Sequence, residues 1–429
     1  LLGACAVGPD YHRPQVAAPA HYKELPGWSQ ARPADELPKG EWWKAFHDPL
    51  LDELEPQVAV SNQSVRADYY AYQNAIALMH EARAGLFPTI GITGAGTRSR
   101  SGRGGVGSGG GLSVGSGIIN SGSLEGNVSW APDLWGKVRR TVEESAANAQ
   151  ASQATLANAT LSEQVALATA VINLRATDAD IDLLQKTVEA YRDSLQVTEN
   201  QGRAGTAAPS DVITARTLLE STQASLVNLG VARAQYEHAI AVLVGKNPEE
   251  LSIPHSTAMP QLPEVPAGLP SDLLQRRPDI AIQERSMAAA NAAVGVAVAA
   301  YYPSVTLSGA DGFSQSPLAG LLHIANHVWS LGADVSETVL DFGARHAQVQ
   351  AAKATYEQAV ASYRQSVLTA FQNVENDLSG IRILAQQAEL QDAAVRDAAQ
   401  GAQIALNEYR AGTVDFTTVA SAQVPDQRY

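Results

Sequence analysis

Two long intervals of equal length constrain this chain more than any other feature. Leu134-Trp135-Gly136 opens a proline-free stretch that ends at Arg203-Ala204-Gly205-Thr206, and Asp341-Phe342-Gly343 opens another that ends at Arg410-Ala411-Gly412-Thr413. Gly136 and Gly205 are as far apart in sequence as Gly343 and Gly412. Upstream, a helical run from Asn62 to Leu86 ends at Phe87-Pro88 and yields to Thr89-Ile90-Gly91-Ile92-Thr93. The second half repeats this: Ser271 can cap a short turn, Pro278 suits the first position of a helix, and Pro303 stops that helix ahead of Ser304-Val305-Thr306-Leu307. The same landmarks in the same order imply one structural unit used twice.

Each long interval would reach roughly 100 Å as one helix, at about 1.5 Å per residue. From Val138 to Gln201 and from Ala344 to Arg410 no proline interrupts it. Small residues are dense, as in Ala146-Ala147-Asn148-Ala149-Gln150-Ala151. Such helices can pack against neighbours on two sides and leave a third face polar, as staves of a tube; a plain antiparallel coiled coil is the alternative, which explains the helices but not the strands. Gly205 and Gly412 are placed to take the left-handed conformation that caps a helix. Returning helices are expected over Ser210–Val244 and from Thr417 onward.

The strand signals fall between the helices. Thr89 to Arg98 and Gly122 to Trp130 read as one pair, with Leu124, Gly126, Val128 and Trp130 on one face and Glu125, Asn127 and Ser129 on the other. In the second copy Val305 and Leu307 alternate with Ser304, Thr306 and Ser308, and Trp329, Leu331, Ala333 and Val335 alternate with Ser330, Gly332, Asp334 and Ser336. This period suits a membrane β-barrel wall and equally a half-buried sheet in a soluble sandwich. Four strands cannot close a barrel, since about eight is the smallest number that does, so a barrel requires more than one copy of the chain. The Gly/Ser-rich Ser99–Ser121 stretch has too few apolar side chains to bury and is expected to face water, with Arg98, Arg100 and Arg103 read as solvated loop residues.

Before the repeats, Ala6 to Lys39 is Pro-rich and reads as an extended arm, followed by Trp42-Trp43-Lys44-Ala45-Phe46-His47-Asp48-Pro49, whose aromatics are expected to anchor it in a core. The one cysteine, Cys5, stands in Leu1-Leu2-Gly3-Ala4-Cys5, which looks like a lipobox in which Leu1 to Ala4 end a signal peptide and Cys5 carries lipid; a plain terminal cysteine is the alternative. A formal net charge of −14 without a basic tract argues against a nucleic-acid partner. No run of about 18 apolar residues offers a helical membrane span. The histidines are scattered; only His323 and His327 stand at helical spacing, at a strand start, and no metal site is assigned to them. No acid, base and nucleophile set marks a catalytic centre, and Gly102 to Gly111 lacks the Lys-Ser/Thr pair of a phosphate loop.

Taken together, Cys5-Ala6-Val7-Gly8-Pro9-Asp10-Tyr11-His12-Arg13-Pro14, the W-W-K-A-F-H-D-P segment, P-S-D-L-L-Q-R-R-P-D-I with Glu284, Ala289, Ala290, Asn291 and Gly295, and Y-Y-P-S resemble the outer-membrane factor lipoproteins of Gram-negative multidrug efflux systems. The resemblance implies a mainly α chain with a membrane β-barrel portion, built as two tandem repeats. A homotrimer would join four strands per chain into one twelve-stranded barrel in the outer membrane, standing on a long α-helical barrel in the periplasm. It implies a passive export duct for drugs and other small solutes, without enzymatic activity or cofactor beyond lipid on Cys5. The implied partners are a periplasmic adaptor, an inner-membrane pump of the resistance-nodulation-division type, and outer-membrane lipid. A protein-secretion channel of the same architecture and a structural periplasmic coiled-coil adaptor are the rival readings. The expected organisation is a signal-peptide remnant over 1–4, an arm and following segment over 5–61, a first repeat over 62–246 with a hairpin at 89–130, a linker over 247–270, and a C-terminally shortened second repeat over 271–429 with a hairpin at 304–338.

In that family the helix turns form the periplasmic entrance, with an aspartate commonly in L-D-A-Q; here the motif reads Ala420-Ser421-Ala422-Gln423, with Ser421 in place of the acid. Asp211 and Asp415, with Thr417 and Ser421, are the candidate gate residues. A threefold ring of carboxylates would repel itself, attract cations and respond to pH or salt, whereas solvated charges at a helix end would do none of this.

Overall fold

The computed structural model describes residues 6–14, 40–100, 118–262 and 277–423. Cys5, Ser271, Arg103 and most of the Gly/Ser stretch lie outside them. Among the described residues the order is α1 (Pro49–Ser61), α2 (Gln63–Ala84), β1 (Thr89–Arg100), β2 (Ile118–Trp130), α3 (Lys137–Arg203), α4 (Pro209–Leu243), α5 (Pro278–Ala299), β3 (Ser304–Gln315), β4 (His327–Ser336), α6 (Ala344–Arg410) and α7 (Phe416–Gln423). The duplication is evident in the lengths. Both α2 and α5 have 22 residues, both α3 and α6 have 67, and both β1 and β3 have 12.

Local chemistry sets the boundaries. Asp48 accepts from the amides of Leu50 and Leu51 and so caps α1, with Pro49 as its first residue. Asn62, expected as the first residue of a helix, is instead the cap of α2, accepting from the Ser64 and Val65 amides. That helix stops at Ala84 rather than Leu86, because the amides of Gly85, Leu86 and Phe87 turn back to carbonyls three residues earlier. Strand β1 continues to Arg100, so Arg98 and Arg100 belong to the sheet and not to a loop. The second hairpin ends at Ser336, two residues before the expected Thr338.

The strands form one antiparallel sheet in the order β1-β2-β3-β4. Its register pairs Ile90 with Val128, Trp130 with Leu307, and Leu307 with Ala333. Because side chains alternate, this puts Ile90, Ile92, Leu124, Val128, Trp130, Leu307, Trp329, Leu331 and Val335 on one face. Each of these is large, apolar and exposed, Ile92 at 80% and Leu331 at 81%. The opposite face carries Thr93, Thr97, Ser121, Glu125, Asn127, Thr306 and Asp334, knit by Asn127 Nδ2 to Thr93 Oγ1 at 2.7 Å and by Thr97 and Ser121 hydroxyls at 2.9 Å.

The described residues fall into two compact units, each drawing on both halves of the chain. One comprises Ala71–Ser152 and Ile282–Arg364 together with residues 6–14. In it the described start of the arm, residues 6–14, is clamped. Arg140 donates to the carbonyls of Val7 and Gly8 and, at 2.8 Å, to Asp10. Tyr11 donates to Glu284 at 2.8 Å, Asn291 to the Pro9 carbonyl at 3.1 Å, and Arg13 to the Tyr363 hydroxyl at 2.9 Å. Gly8, at φ +95°, lies so close to Gly295 that no side chain fits between the two backbones. The Trp135 ring stacks on Tyr302 at 5.0 Å and donates to the Pro303 carbonyl at 2.7 Å.

The second unit contains the described residues of Val16–Tyr70, Gln153–Ala281 and Gln365–Tyr429. Trp43, Leu51, Leu54, Val58, Val65, Leu167, Val171, Leu174, Ile240 and Val244 form its core, with Trp42 and Phe46 packed against it. The aromatic segment therefore does what its composition suggests. Glu55 is fully buried in this unit with both carboxylate oxygens unpartnered, and burial pushes its carboxyl up to about 8, so that it is protonated at neutral pH. The start of the linker is held by Arg233, which donates to Asp178 at 2.7 Å and to the Ile253 carbonyl at 2.8 Å.

Candidate functional site

Two features carry function: the two-faced sheet and the pair of helix turns. At the turns the same four residues produce the same geometry. Thr206 N–H donates to the Gln201 carbonyl at 2.9 Å and Gly205 N–H to the Gly202 carbonyl at 3.1 Å; Thr413 N–H donates to Glu408 at 3.0 Å and Gly412 N–H to Tyr409 at 3.0 Å. These are the paired bonds of a Schellman cap, and they require the left-handed φ of +75° at both glycines. The threonine hydroxyl adds a second bond to the same carbonyl, at 3.1 Å from Thr206 and 2.9 Å from Thr413. R-A-G-T is thus a stop signal, complete in itself.

The following helix starts differ. Asp415 accepts from the Thr417 hydroxyl at 2.7 Å, the Thr418 hydroxyl at 2.9 Å and the Thr418 amide at 3.1 Å. Those hydroxyl bonds, Thr417 first, and then the amide hold its carboxyl below the usual carboxylate range. Asp211 lies one turn further along, accepting from the Ala208 amide at 3.3 Å, and Ala208 has no side-chain oxygen to return the bond. Ser421, standing where an acid was sought, donates to the Thr417 carbonyl at 2.7 Å. Ala215, Ala405, Tyr409 and Val419 share one apolar cluster, so the structure brings the two turns together. Each aspartate, however, is bonded to its own helix start. The Tyr409 hydroxyl donates to Thr198 at 3.1 Å in a buried contact that sequence reasoning missed, since neither residue belongs to a motif. Beside the first turn, Gly202, Pro209, Ile213 and Arg216 line a cleft of about 470 Å³, with Arg216 bonded to Glu199 at 2.9 Å.

Among the described residues, no three His, Cys, Asp or Glu side chains are gathered as metal ligands, and no helix is long and apolar enough to cross a membrane. His323 and His327 are separated by a short 3-10 turn, and His327 binds Asp311 at 2.8 Å. The sheet is another matter. Its exposed apolar face has aromatic residues toward both strand ends, Trp130 on one side and Phe313 and Trp329 on the other, which is the pattern of a membrane barrel wall.

The model of the outer membrane efflux protein family matches residues 54–246 and 269–425. The chain belongs to this family. Among its relatives, the toluene efflux pump outer membrane protein TtgC of Pseudomonas putida is 32% identical over 436 residues, covering 99% of this chain and 87% of the relative. The outer-membrane channel OprN has 30% sequence identity and a TM-score of 0.86, with 99% of this chain and 94% of OprN covered. The Campylobacter jejuni CmeC outer membrane channel shares the fold, with a TM-score of 0.89 at 21% identity, over 99% of this chain and 90% of CmeC. The efflux protein described here is accordingly an outer-membrane channel component, mainly helical and built from two repeats, and not an enzyme.

Proposed function

We propose that three copies of this chain join their sheets into one twelve-stranded barrel. The barrel opens into a tube of the long helices and serves as the passive exit duct of a tripartite efflux pump. The observation that carries this is the sheet: it has one exposed apolar face, one polar face, and two edges, β1 and β4, that pair with nothing among the described residues. Four strands cannot close, and free edges beside so much exposed apolar surface call for partner strands and lipid. The apolar face meets the membrane in this reading, and the polar face, with Glu125 and Asp334, lines the lumen. A periplasmic adaptor and a pump of the resistance-nodulation-division type are the partners, the helix turns are the entrance, and lipid on Cys5 tethers the arm. Export of toluene by a relative supports small organic solutes as the cargo class.

Asp211, Asp415, Thr417 and Ser421 are the polar groups at that entrance. Because Asp415 is held deprotonated, it would supply the charge of a threefold ring. The test is the single-channel conductance of the purified full-length protein in planar bilayers, with its mass in detergent measured alongside. A trimer with small, gated steps is expected, and replacing both Asp211 and Asp415 with alanine should enlarge the steps or flatten their pH dependence. A monomer without conductance would overturn the channel assembly. An unchanged conductance in the double variant would remove the aspartates from the gate.

A further inference from the structure

On the apolar face of β1 the residues beyond Ile92 are Gly94, Gly96, Arg98 and Arg100. Arg98 stands opposite Asn120, and Arg100 opposite Ile118. Both arginines are exposed, and among the described residues neither has an ion-pair partner. The acid on this face, Asp311, is already engaged by His327 at 2.8 Å; Glu125 and Asp334 point to the opposite face. Two uncompensated guanidinium groups therefore sit on a largely apolar face, whose other polar groups include Asn120 and the Asp311–His327 pair.

Their height is informative. With about 3.3 Å per residue and a strand tilt of roughly 40°, Arg98 stands roughly 20 Å and Arg100 roughly 25 Å above Ile90, at the upper margin of an apolar band about 25 Å tall in membrane barrels. Helix α2 enters β1 at Thr89 and α3 follows β2 after Trp130, so the arginines are at the strand ends away from the helices. The segment between β3 and β4 reclines on this same face. Leu318 and Leu321 lie over Gly122, which is buried for that reason, and the Ser316 hydroxyl donates to the Asn120 carbonyl at 3.4 Å. Next to them Leu322 and Ile324 are 66% and 81% exposed. A group of apolar side chains turned outward thus adjoins, across Asn120, a pair of free arginines.

We propose that Arg98, Arg100 and the 316–324 segment form a docking patch for a phosphorylated glycolipid of the outer leaflet. The guanidinium forks hold its phosphates, and its acyl chains lie against Leu322, Ile324 and the apolar band below. Arginine matches phosphate with two parallel hydrogen bonds and can hold its charge at the headgroup level while its stem stays on apolar surface. The inference rests on the reading above that this face meets lipid, and it names which lipid chemistry is selected and where.

The test uses the full-length protein in detergent, titrated with mixed micelles containing bisphosphorylated lipid A or the same lipid without phosphates. Retention is read by native mass spectrometry, and the conductance of each preparation is recorded. The phosphorylated lipid should be retained about tenfold more tightly, a difference of about 1.4 kcal/mol. Arg98→Gln with Arg100→Gln should remove that preference, and the two lysine replacements should keep part of it. Leu322→Ser with Ile324→Ser should weaken both lipids alike. Equal retention of the phosphorylated lipid by the glutamine variant overturns the proposal, as does its displacement by millimolar inorganic phosphate, which would mark a free-anion site. Absent conductance with arginine-dependent retention intact would sink the channel assembly and leave the patch standing.

Discussion

The two helix turns share a stop and differ in the start that follows. Gly205 and Gly412 have the same φ, the same paired backbone bonds and the same threonine hydroxyl reinforcement. Three residues on, the first copy has Ala208 where the second has Asp415, and three further on the first has Asp211 where the second has Thr418. The duplication kept what makes the chain reverse and let the acid move by one helical turn. A carboxylate at the cap position is fixed by three hydrogen bonds, while one at the third helical position holds a single longer bond, so the two aspartates are not interchangeable members of one ring.

Glycine replacement should test the shared part with the largest effect. No atom lies within 4 Å of where a Cβ would stand at either glycine, so Gly205→Ala and Gly412→Ala should each cost only the left-handed strain, about 1–2 kcal/mol. Equal losses in thermal unfolding would support equivalence; a difference of more than about 1 kcal/mol would break it. Transplanting the cap comes next: Ala208→Asp should stabilise the first turn by roughly 0.5–1 kcal/mol, whereas Asp415→Ala should destabilise the second more than Asp211→Ala does the first. Thr206→Val and Thr413→Val should each lose roughly 0.5–1 kcal/mol, again in parallel.

The smallest effect lies on the pH axis. A carboxyl held below its ordinary value contributes stability above the unfolded pKa, about 3.9, and loses it as pH falls through the lowered folded value. Acid unfolding of wild type and Asp415→Asn should therefore converge at low pH and diverge above it. Glu55 titrates in the other direction. Its folded value of about 8 means stability falls as pH rises from the ordinary glutamate range toward 8, and Glu55→Gln removes its share of that limb.

How much of this was legible in the sequence depends on the range of the forces involved. The duplication, the long helices, the glycine stops and the strand alternation are local periodicities, and they hold to within a few residues. The boundary errors at Asn62, Leu86 and Arg98 arose where a side-chain cap or a cross-strand partner decides the last residue, which no window of one chain displays. The arm clamp was half visible: Glu284, Asn291 and Gly295 belonged to the motifs singled out, but Arg140 lies far from all of them in sequence, and only folding brings it to Asp10. At the turns the motif located the acids without ranking them, because the difference between Asp415 and Asp211 is a hydrogen-bond pattern and not a composition.

The clamp on the arm also acts as a short leash. The Val7 amide is bonded to the Trp135 carbonyl at 3.0 Å, and two residues of chain reach at most about 7 Å. On the proposal that Cys5 carries lipid, that length of chain bounds how far the acyl group can stray from the stacked Trp135 and Tyr302 rings. The lipid would then work as a depth gauge, setting how far the sheet stands in the bilayer, and lengthening the arm ahead of Val7 with flexible residues should release that setting without loosening the fold.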